Sequence, residues 1–319
     1  MLLSRAADAL YWISRYLERA EHTARLVDVA TDLGIGRGVI SDDGAISRLY
    51  GSLGLPTAVV EGQVTSFARS ALFDTSNRNS ATACITSARE NARQVREEIS
   101  SDMWEQINSV YLRLKQMRED ATWTPRTHYI SRIIVDGVHL FQGVTDATMG
   151  HGEGWQYLQV GRFLERAGTT AALLDVFLAD ATEPSGMAAQ LDKVEWVALL
   201  RSCSGLEAYS RHYTADVRPE RVAEFLLLNE EFLRSVRFAA SSLESALLSL
   251  GRRSGSRAGG RVERLAGRLH ASLDYGQVDE ILSDDPHMYL TGISRQCAEI
   301  HAALYQAYVT YQIESALPA

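Results

Sequence analysis

Lysine is nearly absent from this chain: of 32 basic residues only Lys115 and Lys193 carry an ammonium. A lysine-centred phosphate site or a Schiff base is therefore disfavoured, and no Gly-rich phosphate loop argues otherwise. Almost all positive charge is guanidinium, suited to bidentate pairing with carboxylate or phosphate, although an arginine-favouring codon bias explains the scarcity more simply. Cysteine is also scarce. Cys84, Cys203 and Cys297 are widely separated, match no metal or redox spacing, and read as reduced thiols rather than a disulfide framework. No apolar run approaches the length of a bilayer span, and no stretch alternates apolar and polar residues long enough to make a strand. The opening MLLSRAADALYW lacks a basic leader with an apolar stretch and cleavage site, so a cytoplasmic location is the default expectation. A net charge of −8 argues against nucleic-acid binding, which needs a concentrated positive surface.

The 319 residues, 46% hydrophobic and 23% charged, suffice for a sizeable core. Their most informative feature is an internal echo: YLERAEHTARLVDV from Tyr16 to Val29 recurs as FLERAGTTAALLDV from Phe163 to Val176. Apolar residues step by three and four in both copies, Leu10, Ile13, Leu17, Ala20, Ala24 and Val27 in one, Tyr157, Val160, Leu164, Ala167, Ala171 and Leu174 in the other. This spacing predicts two equivalent helices, each with a packing seam. Beside each seam lies a repeated polar trio, Arg15, Glu18 and Arg19 against Arg162, Glu165 and Arg166.

The remainder reads as helix too, giving an all-α, multi-helix bundle with an internal pseudo-repeat. Helices are expected at about 4–33, 45–53, 56–74, 80–99, 101–117, 124–141, 155–181, 192–213, 220–250, 262–273 and 286–314. Thr124 before Pro125 marks one start, and MGHGEGW from Met149 to Trp155 marks a break. The segment GRRSGSRAGGR from Gly251 to Arg261 reads as an exposed linker. One domain over 1–319 is expected, with 1–183 and 184–319 as halves on either side of Pro184 to Gly186.

Three polar groups are candidates for a site. In the first, the trios pair across the two helices and set helix packing, or leave guanidiniums open in a groove for an anion; Arg15, Arg19, Arg162 and Arg166 would then bind it, with Glu18 or Glu165 as general base. Arg89 and Arg93, in SARENARQVREE, can join that groove or form a solvated face. Asp146 and Glu153, in TDATMGHGEGW, flank a turn ahead of the second repeat helix. A third polar stretch, LLRSCSGLEAYSRHY, holds Arg201, Tyr209 and Tyr213. A carboxylate-bridged metal centre is not expected, because Gly168 and Thr169 replace Glu21 and His22 in the second repeat. No Ser, His and Asp set can be assembled by spacing, and no cofactor is implied.

The segments SRAADALYWISRYLERAEHTARL, FDTSNRNSATACITSARENARQVREEISSDMWEQIN, DATMGHGEGWQYLQVGRFLERAGTTAALLD, LLRSCSGLEAYSRHY and VAEFLLLNEEFLRSV together resemble the bacterial alpha-E family across nearly the whole chain. Its Glu-Arg motif maps onto Glu18–Arg19 and Glu165–Arg166. The chain departs from the family pattern at Arg78, where a proline usually falls nearby, and at Gly168, usually acidic. The resemblance implies a neighbouring or fused circularly permuted ATP-grasp protein similar to amide-bond-forming ligases, often with a transglutaminase-like peptidase. It thus implies a role in making or handling a peptide or peptide-like metabolite, while the charge and the lack of long apolar runs lead to no expectation of a nucleic-acid or membrane partner. Three functions follow as expectations: a partner subunit of the ligase with an Arg-lined groove, an amide-forming transferase, or a structural, self-associating bundle.

Overall fold

A computed structural model describes residues 2–36, 48–49, 51–53, 64–119, 126–179, 187–213, 216–254 and 260–309. Among these residues there are thirteen α-helices and no strand: α1 Ser4–Gly36, α2 Val64–Phe73, α3 Ala81–Gln94, α4 Ser101–Glu119, α5 Thr127–Thr148, α6 Glu153–Leu178, α7 Met187–Ser202, α8 Leu206–Tyr213, α9 Pro219–Leu228, α10 Val236–Ser254, α11 Gly260–Asp274, α12 Val278–Ser283 and α13 Pro286–Leu304, with a π-turn over Tyr305–Val309. The chain is all-α. Among the described residues no helix is long and apolar enough to cross a membrane.

The centre of the fold is the pair α1 and α6, which carry the repeated segments. At 1.5 Å per residue the 33 residues of α1 extend for about 50 Å. It packs along α6, α3 and α5, and α6 in turn packs against α10 and α13. The apolar seam read from the sequence is the buried face of both helices, and Ala20, Ala24, Ala167 and Ala171 are wholly inaccessible. Small residues there let the two backbones approach closely. A Cβ added at Gly161 would lie 2.2 Å from the Tyr11 carbonyl oxygen. At the matching place in the other repeat, the Ser14 hydroxyl donates to the Leu158 carbonyl. The two helices therefore meet through equivalent positions: Ser14 corresponds to Gly161 and Tyr11 to Leu158. One continuous apolar core joins the first and second halves of the chain.

Several helix boundaries differ from expectation for local reasons. The stretch 80–99 is helical only to Gln94, after which Val95 closes the helix and turns lead to Ser100; the N-cap hydroxyl of Ser80 accepts from Ala83 N at its start. The 192–213 segment divides at residues 203–205, where Ser204 adopts φ 50°. Ser204 N donates to Arg201 O and Gly205 N to Leu200 O, the paired bonds of a left-handed helix terminus. The expected helix at 220–250 is α9 and α10, separated by a built turn. There Asn229 Oδ1 accepts from Glu231 N and Phe232 N, Ser235 Oγ accepts from Phe238 N, and Ser235 donates to Asn229 O. Side chains that capture backbone groups locally compete with the helix, and here they win against apolar spacing. Helix α5 continues past Phe141 to Thr148, and α10 runs through Ser254 into the segment read as linker. The Thr124–Pro125 start and the Pro184–Gly186 boundary lie outside the described residues.

Candidate functional site

The repeated trios face each other between α1 and α6. Arg166 donates from Nε to Glu18 Oε1 at 2.6 Å and from Nη2 to Oε2 at 2.8 Å. The reciprocal pair has the same fork: Arg19 donates from Nε to Glu165 Oε1 at 2.6 Å and from Nη2 to Oε2 at 3.2 Å. Each Glu-Arg dipeptide thus supplies the carboxylate for one fork and the guanidinium for the other. Arg166, Glu18 and Glu165 are 2%, 1% and 4% exposed, so these pairs are desolvated and each depends on its partner.

The reciprocity stops one turn earlier on each helix. Arg15 adds a second guanidinium to Glu165, with Nε and Nη2 at 2.7 and 2.6 Å from Oε2. Its counterpart Arg162 does not reach Glu18. That place belongs to Arg234, from the turn between α9 and α10, with Nη1 at 3.0 Å from Glu18 Oε1 and Nη2 at 2.6 Å from Glu21 Oε1. The turn is locked onto α6, since Arg166 Nη1 donates to Leu233 O at 3.1 Å and Thr170 Oγ1 to Arg234 O at 3.2 Å. Arg162 consequently has no hydrogen bond or ion pair with a described residue, and its buried Nε lacks an acceptor.

Electrostatics follow this geometry. Burial alone would raise the Glu165 carboxyl, but Arg15 and Arg19 outweigh it and hold the group below the usual carboxylate range. Burial is likewise overcome at Glu18 by Arg166 and Arg234. Glu21, also accepting from Arg25 and facing His139 Nε2 at 2.8 Å, is held well below its ordinary value against burial by Arg234, the His139 hydrogen bond and Arg25. His22 is pushed down to about 4, first by desolvation and then by the Arg234 charge. Arg162 is lowered to about 10, again by desolvation first and by neighbouring Arg166 second. It is a half-buried cation short of negative charge.

Arg162 borders a cavity of about 320 Å³ between α1, α5 and α6. Leu17, Phe141 and Leu158 form its apolar wall, and Gln142, Gln159, Asp146 and Trp155 contribute polar groups. The buried indole N–H of Trp155 also lacks an acceptor, while its ring stacks on His151 with centroids 4.1 Å apart. Two residues that line the cavity therefore each hold a buried N–H that no described residue accepts from. A cavity of this size, with apolar and polar groups in about equal measure, is large enough for a small ligand.

Of the residues singled out in the sequence, Arg162 and Asp146 come together at this cavity. Arg15 and Glu165 border a separate recess with His301 and Cys297, but both are already joined there to each other. Glu18 and Glu165 do not suit the expected role of general base: each is a guanidinium-paired anion of lowered basicity. Arg19 and Arg166 are likewise bound to those carboxylates rather than open to a ligand. Arg89 lies elsewhere, donating to Asn108 Oδ1 at 2.7 Å and covering the Tyr111 ring at 4.6 Å, and exposed Arg93 pairs with Glu90 at 2.9 Å. Glu153 accepts from Leu2 N at 2.5 Å, tying the start of α1 to that of α6. In the third polar stretch, Arg201 pairs with Asp32, Tyr209 OH donates to Asp216 O, and Tyr213 OH donates to Glu224. Among the described residues no three His, Cys, Asp or Glu side chains gather as metal ligands.

Sequence reasoning passed over Arg234 and Trp155. Arg234 had a readable signal, Asn229 and Ser235 bracketing it as turn-forming residues, but nothing in its own neighbourhood names its partners 213 and 216 positions away. Trp155 reads as an ordinary aromatic at a helix start.

Known proteins add a family and no solved relative. The chain is similar to an uncharacterized protein of Mycobacterium bovis and to one of Mycobacterium tuberculosis, each 24% identical over 321 residues. The match takes in 94% of this chain but 35% of either relative, so the chain spans little more than a third of their length. No solved structure matches it. Residues 2–309 match the model of a family described as a predicted alpha-helical domain with a conserved ER motif. With that match over almost its whole length, and Glu-Arg dipeptides forming the reciprocal centre of its fold, the chain belongs to the alpha-E family.

Proposed function

We propose that this chain is the ligand-holding partner of an ATP-grasp amide-bond-forming ligase, and that the Arg162 cavity holds the acidic group of the molecule being joined or passed on. The observation that carries the reading is the Arg162 guanidinium, half-buried and without an acceptor among the described residues, beside an open cavity. A desolvated cation is costly unless an anion joins it, so the cavity favours a negatively charged guest. The ligase partner comes from the family resemblance. The greater length of the curated relatives accords with a domain that works beside others. A transglutaminase-like peptidase and self-association remain further partners of the same system.

The transferase alternative is less well supported, because the carboxylate at the cavity is the exposed Asp146, while the buried glutamates are paired. A structural role suits the Glu-Arg forks themselves, and it is compatible with a binding role for Arg162.

The test is a mixing assay. This chain, an ATP-grasp protein of the matching system, ATP and an amino-acid and peptide panel are incubated together, and nucleotide turnover and new masses are followed. Product that needs both proteins and is lost in Arg162→Leu supports the reading. Unchanged turnover and no association on mixing would overturn it and leave the structural role.

A further inference from the structure

Beside the Arg162 guanidinium the cavity carries further polar groups, and together they match a particular guest. Trp155 and Arg162 line it, each with a buried N–H that no described residue accepts from. Gln142 and Gln159 line it with their carboxamides. Asp146, 74% exposed at the side chain, stands at the rim, and among the described residues its basic partner is His151, 3.7 Å away. The Ser14 hydroxyl is already donated to the Leu158 carbonyl, so it can only accept. Leu17, Phe141 and Leu158 supply an apolar wall.

We infer that the cavity binds the free C-terminal end of a dipeptide-sized peptide with an apolar last side chain, an assignment that rests on the anion-binding reading above and specifies its guest. The carboxylate lies against Arg162 and Trp155, whose donors satisfy its oxygens. The peptide amide, both donor and acceptor, meets the carboxamides of Gln142 and Gln159. The apolar side chain covers Phe141, Leu17 and Leu158. The ammonium at the other end faces Asp146 at the rim. A phosphorylated guest fits less well: a phosphate dianion has only one guanidinium to neutralise it and is repelled by Asp146.

Titration calorimetry on the full chain tests this with four probes: alanyl-phenylalanine, its C-terminal amide, its N-acetyl form and inorganic phosphate. The free dipeptide should bind most tightly, amidation should weaken binding at least tenfold, and N-acetylation should weaken it several-fold. Asp146→Asn should abolish the difference between the free and acetylated peptides. Trp155→Phe, which keeps the ring and removes the N–H, should weaken the free dipeptide while leaving the amide unchanged; it serves as the check if Arg162→Leu fails to fold. Equal affinity for the dipeptide and its amide overturns the assignment. If inorganic phosphate binds in an Arg162-dependent way and no peptide does, the peptide assignment fails while the anion cavity stands. If no anion binds, both fail.

Discussion

Arg234 and Glu18, 216 positions apart, meet at 3.0 Å in the middle of the bundle. By taking the place on Glu18 that Arg15 takes on Glu165, Arg234 leaves Arg162 facing the cavity. The first half of the chain supplies a nearly symmetric frame, and a turn from the second half breaks the symmetry.

Removing one partner from a buried fork should be far more damaging than removing an exposed pair. Glu18→Gln leaves Arg166 without its anion and Arg234 with Glu21 alone, and should lower stability by roughly 3–5 kcal/mol. Arg93→Met, which breaks an exposed pair on α3, should cost under about 1 kcal/mol. Urea unfolding of both variants checks the contrast, and similar midpoints would contradict the assignment of the forks to the core.

At Gly161 the helices leave no room for a side chain. A methyl group there would overlap the Tyr11 carbonyl, so Gly161→Ala should destabilise by about 1–3 kcal/mol despite alanine's higher helix propensity. A gain in thermal midpoint would show that α1 and α6 are not in such close contact.

The coupling between Arg234 and Arg162 is measurable. Arg234→Met should free Glu18 to attract Arg162, drawing the guanidinium away from the cavity and weakening the binding of carboxylate probes. A double-mutant cycle with Arg162→Leu should then depart from additivity by more than about 0.5 kcal/mol. Strict additivity would mean that the two arginines do not compete for Glu18.

Acid should weaken the fold in two stages. His22 stays neutral in the folded chain down to about pH 4, whereas the unfolded chain takes up a proton near the ordinary histidine value of 6.5. Between those values the unfolded state binds more protons, so stability falls as pH is lowered through the window, by roughly 3 kcal/mol in all. Below it, Glu18, Glu21 and Glu165, whose folded pKa values are depressed, lose their stabilising pairing as they protonate. His22→Gln should flatten the first stage and spare the second in denaturant titrations across pH; an unchanged profile would remove His22 as its cause.

Much of the frame was legible before folding was considered. The three-and-four spacing of Leu10 to Val27 and of Tyr157 to Leu174 identifies both buried seams, because a helix face is a local periodicity. The shared Arg, Glu, Arg trio placed charge beside each seam and allowed for pairing across the repeat. Helix breaks at 203–205 and 229–235 were missed, since apolar spacing runs through both while Ser204, Asn229 and Ser235 end the helices by hydrogen bonds and a left-handed backbone.

The sequence by itself determined an all-α chain, two equivalent central helices and the pool of charged side chains available to them, all properties set by neighbours within a turn or two. Only the tertiary structure decided which charges are neutralised. Glu18 has Arg166 and Arg234 because a distant turn docks on α6, and Arg162 has no hydrogen-bond or ion-pair partner among the described residues for the same reason. Ion pairing depends on separations of a few ångströms between residues far apart in the chain, and no local pattern encodes those distances.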